Sequence, residues 1–167
     1  MEKYELKFMK KSIFILVFFT SCLSFYGQSN SSFGIKGGGN FTFFKISESN
    51  FGFNPDAEVG YYGGVFVDFE IDKVLSIQPE ILYIGLKDFQ FINAPIYVKY
   101  EMANNLDVMV GPSINYFFDF FTNKLKIRAD LSTVYNITSN FDVHLKYTIG
   151  FQEITPNGLF VGLGYKL

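Results

Sequence analysis

Hydrophobic and polar residues alternate along most of this chain with a period of two. In the stretch 125–135, Lys126, Arg128 and Asp130 share one face, and apolar residues lie between them. This alternation is typical of a β-strand with one apolar and one polar face. It predicts eight strands of about 10 residues or more, the length that a tilted transmembrane strand needs. They are placed at residues 33–44, 60–70, 73–85, 91–102, 105–118, 125–135, 139–151 and 158–167.

The connections between these strands alternate between short and longer. Those at 71–73, 103–104 and 136–139 are short, whereas the first connection, 45–59, is the longest and is polar. Outer-membrane barrels have short periplasmic turns, longer outer loops and an even number of antiparallel strands. The sequence therefore predicts an all-β fold, an eight-stranded antiparallel up-and-down transmembrane β-barrel with both termini on the periplasmic side. Pro79, Pro95 and Pro112 fall within strands, where we expect local bulges.

Alternation alone does not say which face points inward, because a water-soluble barrel of the lipocalin kind would bury the apolar face. Composition favours the membrane arrangement. Aromatic residues make up 20% of the chain, with 22 Phe and 11 Tyr, and such residues form belts at membrane surfaces. A periplasmic girdle is predicted from aromatic residues on the apolar face near that end of the strands: Phe33, Phe69, Tyr100, Tyr135, Phe141 and Tyr165.

The first part of the chain has the pattern of an export signal. Lys10 and Lys11 precede the apolar stretch 13–19, and small or polar residues follow to position 28. This predicts a signal peptide at 1–27, cleaved before Gln28, and a barrel domain at 28–167. Met9 is an alternative start. Cys22 lies inside the signal, so the mature chain would contain no cysteine; the alternative is that Cys22 is the lipidated residue of a lipoprotein box.

The last strand resembles the signal that the outer-membrane assembly machinery reads. Gly162, Tyr165 and Leu167 stand at the matching places, whereas Phe160 stands where a polar residue is usual. The location predicted from both ends is the bacterial outer membrane, reached through a cleaved signal peptide. The expected partners are outer-membrane lipid and, during insertion, the assembly machinery, and the protein is expected to be a monomer.

If the polar face lines the lumen, its charges nearly balance. The predicted lumen network consists of Lys36, Asp68, Glu70, Glu80, Lys99, Glu101, Asp107, Lys126, Arg128, Asp130, Asp142, His144, Lys146 and Lys166. An eight-stranded barrel is barely wide enough for its own side chains, and unpaired buried charges are costly. We therefore expect a cross-linked polar interior in place of an open pore. The predicted pairs are Glu80 with Lys99, Arg128 with Asp142, and Asp130 with Lys146.

Reactive chemistry has weak support in this sequence. His144 is the only histidine, and a triad with Ser132 and either Asp130 or Asp142 can be drawn. These side chains would point into a filled lumen, away from a lipid substrate, so we expect that the protein is not an enzyme. The sequence contains no metal-ligand spacing, phosphate loop or nucleotide motif, so no cofactor is expected. The net charge of −2 gives no reason to expect nucleic acid as a partner.

Several stretches together resemble one known family. They are FGIKGGGNFT at 33–42, GYYGGVFVDF at 60–69, LSIQPEILY at 75–83, INAPIYVKYEM at 92–102, VMVGPSINY at 108–116 and LFVGLGYKL at 159–167. The chain resembles the small outer-membrane β-barrel family that includes the PorT-like proteins. The resemblance implies an eight-stranded barrel, and some PorT-like members take part in a secretion and gliding apparatus. The matching residues build the barrel, so the resemblance carries no site residue for that role.

Three functional hypotheses follow. The first is a structural or interaction protein that presents its first outer loop to partners. The second is a narrow channel for small apolar solutes, as in OmpW-like barrels, with a side exit. Its lining would come from aromatic residues near the outer rim: Phe41, Phe43, Phe44, Phe117, Phe118, Phe120 and Phe121. The third is an accessory subunit of a PorT-like secretion apparatus.

Overall fold

Strands account for most of the residues that the structure describes. The computed structural model describes residues 31–43, 57–87, 89–118, 123–151 and 156–167. The strands are β1 Ser31–Phe43, β2 Ala57–Asp72, β3 Leu75–Gly85, β4 Gln90–Ala103, β5 Leu106–Phe117, β6 Leu125–Asn136, β7 Phe141–Gly150 and β8 Asn157–Lys166. Each predicted strand has a counterpart whose bounds differ by at most three residues.

The strands follow one another around a closed barrel in the order β1 to β8. Antiparallel pairing of β1 with β8 closes it, in a register that runs from Gly34 opposite Lys166 to Phe43 opposite Asn157. The prediction of an all-β, eight-stranded antiparallel up-and-down barrel is confirmed. Closure leaves no unpaired sheet edge, which is one condition for a sheet in a membrane. The predicted signal peptide and Cys22 lie outside the described residues.

The two ends of the barrel differ. At one end, called the turn end here, β2–β3, β4–β5 and β6–β7 are joined by residues 73–74, 104–105 and 137–140. In the β4–β5 turn, Asn105 has a positive φ of 70°, a conformation that Asn adopts more readily than most residues. At the other end, called the loop end, β3–β4 and β5–β6 are joined by 86–89 and 118–124.

Burial alternates along each strand as the sequence pattern predicts. In β6, Arg128, Asp130 and Ser132 are buried, whereas Ile127 and Leu131 are 57% and 47% exposed. The same holds in β7, where the polar residues point to the interior and apolar ones to the outside. In these two strands the wall is thus apolar outside and polar inside. A water-soluble barrel has the opposite arrangement, because there the hydrophobic effect places apolar side chains in the interior.

The prolines do not produce bulges, so that expectation was wrong. Pro79, Pro95 and Pro112 each keep a partner on the following strand, Ile96, Ser113 and Ala129. Pairing is interrupted only toward the preceding strand, and the register continues unchanged beyond the gap. Proline lacks the N–H of one ladder bond, so the loss falls on one side of the strand and no extra residue is needed. The register shifts occur at 70–72 and 101–103, beside the turn end.

No helix among the described residues is long and apolar enough to cross a membrane.

Candidate functional site

Side chains from all around the wall meet inside the barrel and fill its middle. Hydrogen bonds cross the lumen from β2 to β7, through Tyr62 and His144, and from β4 to β7, through Asn93 and Lys146. Tyr97, fully buried on β4, reaches across to Asp130 on β6. The interior has three levels: a charged turn end, a hydrogen-bonded middle and an aromatic loop end.

At the turn end, lysines and carboxylates meet around a cavity of about 430 Å³. Lys99 forms an ion pair with Asp68, and its Nζ lies 3.9 Å from Asp107. Lys166 approaches the same Asp68 carboxylate at 3.7 Å. Glu70 also lines this cavity but is exposed, as is Glu101. These two predicted lumen acids therefore stand at the rim, where water can solvate them.

In the middle, the Asp130 carboxylate gathers donors from three strands. Lys146 Nζ lies 3.0 Å from Oδ2, and Ser113 donates its hydroxyl to Oδ1 at 2.9 Å. Asn93 and Tyr97 donate to Oδ2 at 3.3 and 3.4 Å. The side chains of Asp130 and Lys146 are almost fully buried. This is the predicted pair Asp130–Lys146, held within a larger set of hydrogen bonds that satisfy both charges.

A second buried ion pair joins β1 to β3. Lys36 Nζ lies 2.5 Å from Glu80 Oε1, and Gln78 donates to the same oxygen at 2.8 Å. The Lys36 ammonium also stands 4.9 Å from the centre of the Phe66 ring, a favourable cation–π arrangement. Glu80 is therefore engaged by Lys36, and the predicted pair of Glu80 with Lys99 does not form. In the β3–β4 register Lys99 lies opposite Ser76, four residues nearer the turn end than Glu80.

His144 links two buried oxygens in a chain that crosses the lumen. Its Nδ1 lies 3.0 Å from Asp142 Oδ1, and its Nε2 lies 2.6 Å from the Tyr62 hydroxyl. Ser132 donates its hydroxyl to the backbone oxygen of Leu145, so the Ser132 triad that can be drawn from the sequence is not assembled. An ionised Asp142 can only accept, which places the proton of a neutral His144 on Nδ1 and leaves Nε2 to accept from Tyr62.

This arrangement predicts a single histidine tautomer. Because His144 is the only histidine, a ¹⁵N-histidine sample gives one pair of ring signals, and we expect a protonated Nδ1 and an unprotonated Nε2. Tyr62→Phe should shift the Nε2 signal and cost about 1–3 kcal/mol of stability, because it leaves a buried acceptor unsatisfied. Tyr61→Phe, on the exposed face, is the matched control. Detection of the Nε2–H tautomer would contradict the assignment.

The loop end of the interior is aromatic and apolar. Its buried cluster contains Tyr62, Leu82, Ile84, Leu86, Phe89, Phe91, Phe117 and Phe160. The rings of Phe91 and Phe117 stack with their centres 4.6 Å apart, and Arg128 packs against both. The sequence analysis missed this cluster, although parity was a usable signal. Leu82 shares the inward face with Glu80, and Phe117 shares it with Asn115.

Arg128 does not pair with Asp142, so that prediction was wrong. In the β6–β7 register Arg128 lies opposite Gly150 at the loop end, whereas Asp142 lies opposite Asn136 at the turn end. Antiparallel pairing places the first residues of β6 beside the last residues of β7, which separates the two charges along the barrel. Lys126, also a predicted lumen charge, is half-buried.

The predicted girdle residues all lie on the outer face. Phe69, Tyr100, Tyr135 and Tyr165 are exposed, and Phe33 and Phe141 are half-buried. Of the residues in the predicted assembly signal, Tyr165 and Leu167 are exposed and Gly162 points inward, where Tyr62 occupies the space that a Cβ would need. Their roles as girdle and assembly signal stay predictions.

The aromatic residues predicted to line a side exit near the outer rim do not form one group. Phe117 is buried in the lumen and Phe41 is exposed on the outer face. Phe44, Phe120 and Phe121 lie outside the described residues.

Within the described part of the chain, no group of three or more His, Cys, Asp or Glu side chains is placed to hold a metal ion. No protein-family model matches the sequence. No curated protein sequence matches it either. The resemblance to PorT-like proteins therefore stays a prediction.

Solved structures do match the fold. A de novo designed transmembrane β-barrel superposes with a TM-score of 0.56 at 16% identity, covering 84% of this chain and 98% of that one. Ail, the attachment invasion locus protein of Yersinia pestis, superposes with a TM-score of 0.53 at 13% identity, covering 84% of this chain and 99% of Ail. Neisserial surface protein A superposes with a TM-score of 0.52 at 14% identity, covering 83% of this chain and 98% of that protein. The chain shares their fold. At these identities the likeness extends to the fold alone.

Proposed function

We propose that this chain is an integral protein of a bacterial outer membrane with a structural or interaction role. The observation that carries the proposal is the reversed wall. Apolar side chains such as Ile81, Val110 and Leu131 are exposed, whereas charged side chains on the inner face are buried: Lys36, Asp68, Glu80, Asp107, Arg128, Asp130, Asp142 and Lys146. Exposed apolar surface on this scale is unfavourable in water and suits contact with acyl chains. The shared fold with outer-membrane barrels supports the same location.

The filled interior is the reason for proposing a structural or interaction role over transport or catalysis. The middle of the lumen is bridged by Lys36–Glu80, Lys146–Asp130 and Tyr62–His144. The hydrogen-bond partners of His144 are Tyr62 and Asp142. All three side chains are buried in the filled lumen, where a substrate would not reach them. Export by a cleaved signal peptide, insertion by the outer-membrane assembly machinery and a monomeric state belong to the same proposal. A more specific version of the proposed interaction role is that of a subunit in a PorT-like secretion apparatus.

A sealed barrel should not conduct ions. We expect purified protein, reconstituted in planar lipid bilayers, to give no steady conductance, because the side chains that cross the lumen leave no continuous water path. Insertion is checked in the same sample by the faster gel mobility of unboiled protein, with an open porin as positive control for the bilayer. Stable unitary channels from protein that passes the gel check would contradict the proposal and favour the narrow channel.

A further inference from the structure

The turn-end cavity, of about 430 Å³, is partly open to solvent and holds more acids than bases. Its inner part contains two acids and two lysines, Asp68, Asp107, Lys99 and Lys166. Its rim adds three acids and one lysine, Glu70, Asp72, Glu101 and Lys73. The inner charges balance one another, and the rim leaves two negative charges in excess. The cavity therefore attracts cations.

The cavity also contains a buried carboxylate that accepts fewer hydrogen bonds than it can. Asp68 lines the cavity and is 2% exposed. Lys99 donates to its Oδ2, whereas Oδ1 has no hydrogen-bond partner among the described residues. A carboxylate can accept about four hydrogen bonds, and Asp130 in the middle of the lumen accepts from four side chains. Asp68 is therefore short of donors, which is costly for a buried charge.

Lys166 is the more loosely held of the two lysines beside Asp68. Its Nζ lies 3.7 Å from Oδ2 and its side chain is 26% exposed, against 12% for Lys99. An incoming cation can therefore reach the Asp68 carboxylate by turning Lys166 aside. A metal ion such as Ca²⁺ needs several oxygen ligands close together, and the described residues offer no such group. An organic ammonium group needs only acceptors for its N–H donors, so it suits this place better.

A second carboxylate stands at a fixed distance from Asp68. Glu70 follows it by two residues on the same face of β2, and both line the cavity. Two residues of a strand span about 7 Å. The side chain of Glu70 is exposed, and no hydrogen bond or ion pair engages it within the described part of the chain. The nitrogens of extended putrescine lie roughly 6 Å apart, from standard bond lengths, so they match the two carboxylates.

We propose that the turn-end cavity binds a linear aliphatic diamine of about the length of putrescine. One ammonium group turns Lys166 aside and donates to Asp68, whose Oδ1 then gains a partner. The other ammonium group pairs with Glu70 at the rim. The two charges of the ligand neutralise the negative excess of the cavity. The site goes beyond the proposed structural or interaction role, and it requires no passage through the filled lumen.

The Asp68 carboxylate can be observed directly. In protein labelled with ¹³C at the aspartate carboxyl groups and held in an uncharged detergent, the Asp68 signal is the one that Asp68→Asn removes. Putrescine should shift this signal saturably and leave the Asp130 signal in place, because that carboxylate is already fully engaged. If putrescine leaves the Asp68 signal unchanged, or if Mg²⁺ at the same concentration shifts it as much, the cavity attracts cations only as an acidic surface and the proposal fails.

Calorimetric titration tests the need for two ammonium groups. Butylamine has the same chain with one charge, and it should bind about two- to fivefold more weakly than putrescine, the usual range for one exposed ion pair. Glu70→Gln should weaken putrescine binding by a similar factor and leave butylamine binding unchanged. Equal affinities for the two amines in the unmodified protein would overturn the proposal, because the spacing of the carboxylates would then be irrelevant.

The inner carboxylate should contribute more than the one at the rim. Asp68→Asn removes a charge-assisted hydrogen bond from a buried position, so it should weaken putrescine binding about tenfold or more. Lys87→Gln, exposed in the connection at the loop end, is the control and should bind like the unmodified protein. If Asp68→Asn fails to fold, the comparison of putrescine with butylamine in the unmodified protein and in Glu70→Gln still decides the question.

Discussion

Asp130→Ala should destabilise the barrel by about 3–5 kcal/mol, the usual cost of removing one partner of a buried ion pair. The carboxylate accepts from Lys146, Ser113, Asn93 and Tyr97. Its removal leaves the Lys146 ammonium, whose side chain is 3% exposed, without its ion-pair partner. The measurement is the free energy of unfolding from urea titrations of protein folded into lipid vesicles. Gel mobility and circular dichroism serve as the two readouts of the folded fraction.

A double variant separates the cost of an orphaned charge from the loss of contacts. Asp130→Ala with Lys146→Met removes both charges, and it should recover most of the lost stability, since apolar replacement of a buried pair is often neutral. Glu101→Gln, at the exposed rim, should change stability by no more than about 0.5 kcal/mol. If the single variant is as stable as the unmodified protein, the Asp130–Lys146 pair is not what fixes the interior.

The strands were predictable because each is long enough for its alternation to be read. In β6 and β7, polar residues occupy every second position for most of the strand, and the buried face follows them. A one-residue error would have moved a whole face to the wrong side, so the pattern fixes the strand and the residues that share each face. Which face points inward came from composition and not from the alternation. The proline strands were predicted for the same reason, although the bulges expected there were not found.

The pairing of the lumen charges was predictable only in part. Asp130 and Lys146 lie on adjacent strands at nearly the same height, with Ser132 opposite Lys146, and proximity along a hairpin was enough to pair them. Glu80 is paired instead by Lys36, which stands two strands away. Such contacts depend on how far the strands are staggered around the closed barrel. Sequence alternation carries no information on that stagger.

The same limit explains Tyr62 and the loop end. Tyr62 lies 82 positions before His144 in the sequence and contacts it across the lumen. No local spacing in the sequence therefore predicts the contact. The aromatic layer was different, because Phe91 and Phe117 share the inward face of their strands with Asn93 and Asn115. The aromatic layer was missed because the sequence analysis treated the inward face as uniformly polar. A lumen sealed by apolar side chains at one end and open to a charged cavity at the other follows from parity once that assumption is dropped.

Leu131→Lys should destabilise the barrel by about 2–4 kcal/mol in a bilayer, and Leu125→Lys by only about 0–1 kcal/mol. Both leucines are about half exposed, at 47% and 50%. Leu131 lies mid-strand, between Val110 and Tyr147 of the neighbouring strands, whereas Leu125 begins β6 at the loop end. A lysine at the first site faces the acyl chains, and one at the second reaches the headgroups, where it remains hydrated.

The difference between the two sites distinguishes a membrane wall from a wall in water. In water, both lysines replace exposed leucines, so both changes should be nearly neutral, within about 0.5 kcal/mol. In a bilayer, the cost follows depth, so the free energies of unfolding in vesicles should separate the sites by more than about 1 kcal/mol. Leu131→Ala is the control for lost side-chain volume without charge. Equal effects of the two lysines in vesicles would mean that this face does not contact acyl chains, and the outer-membrane location proposed from the reversed wall would fall with it.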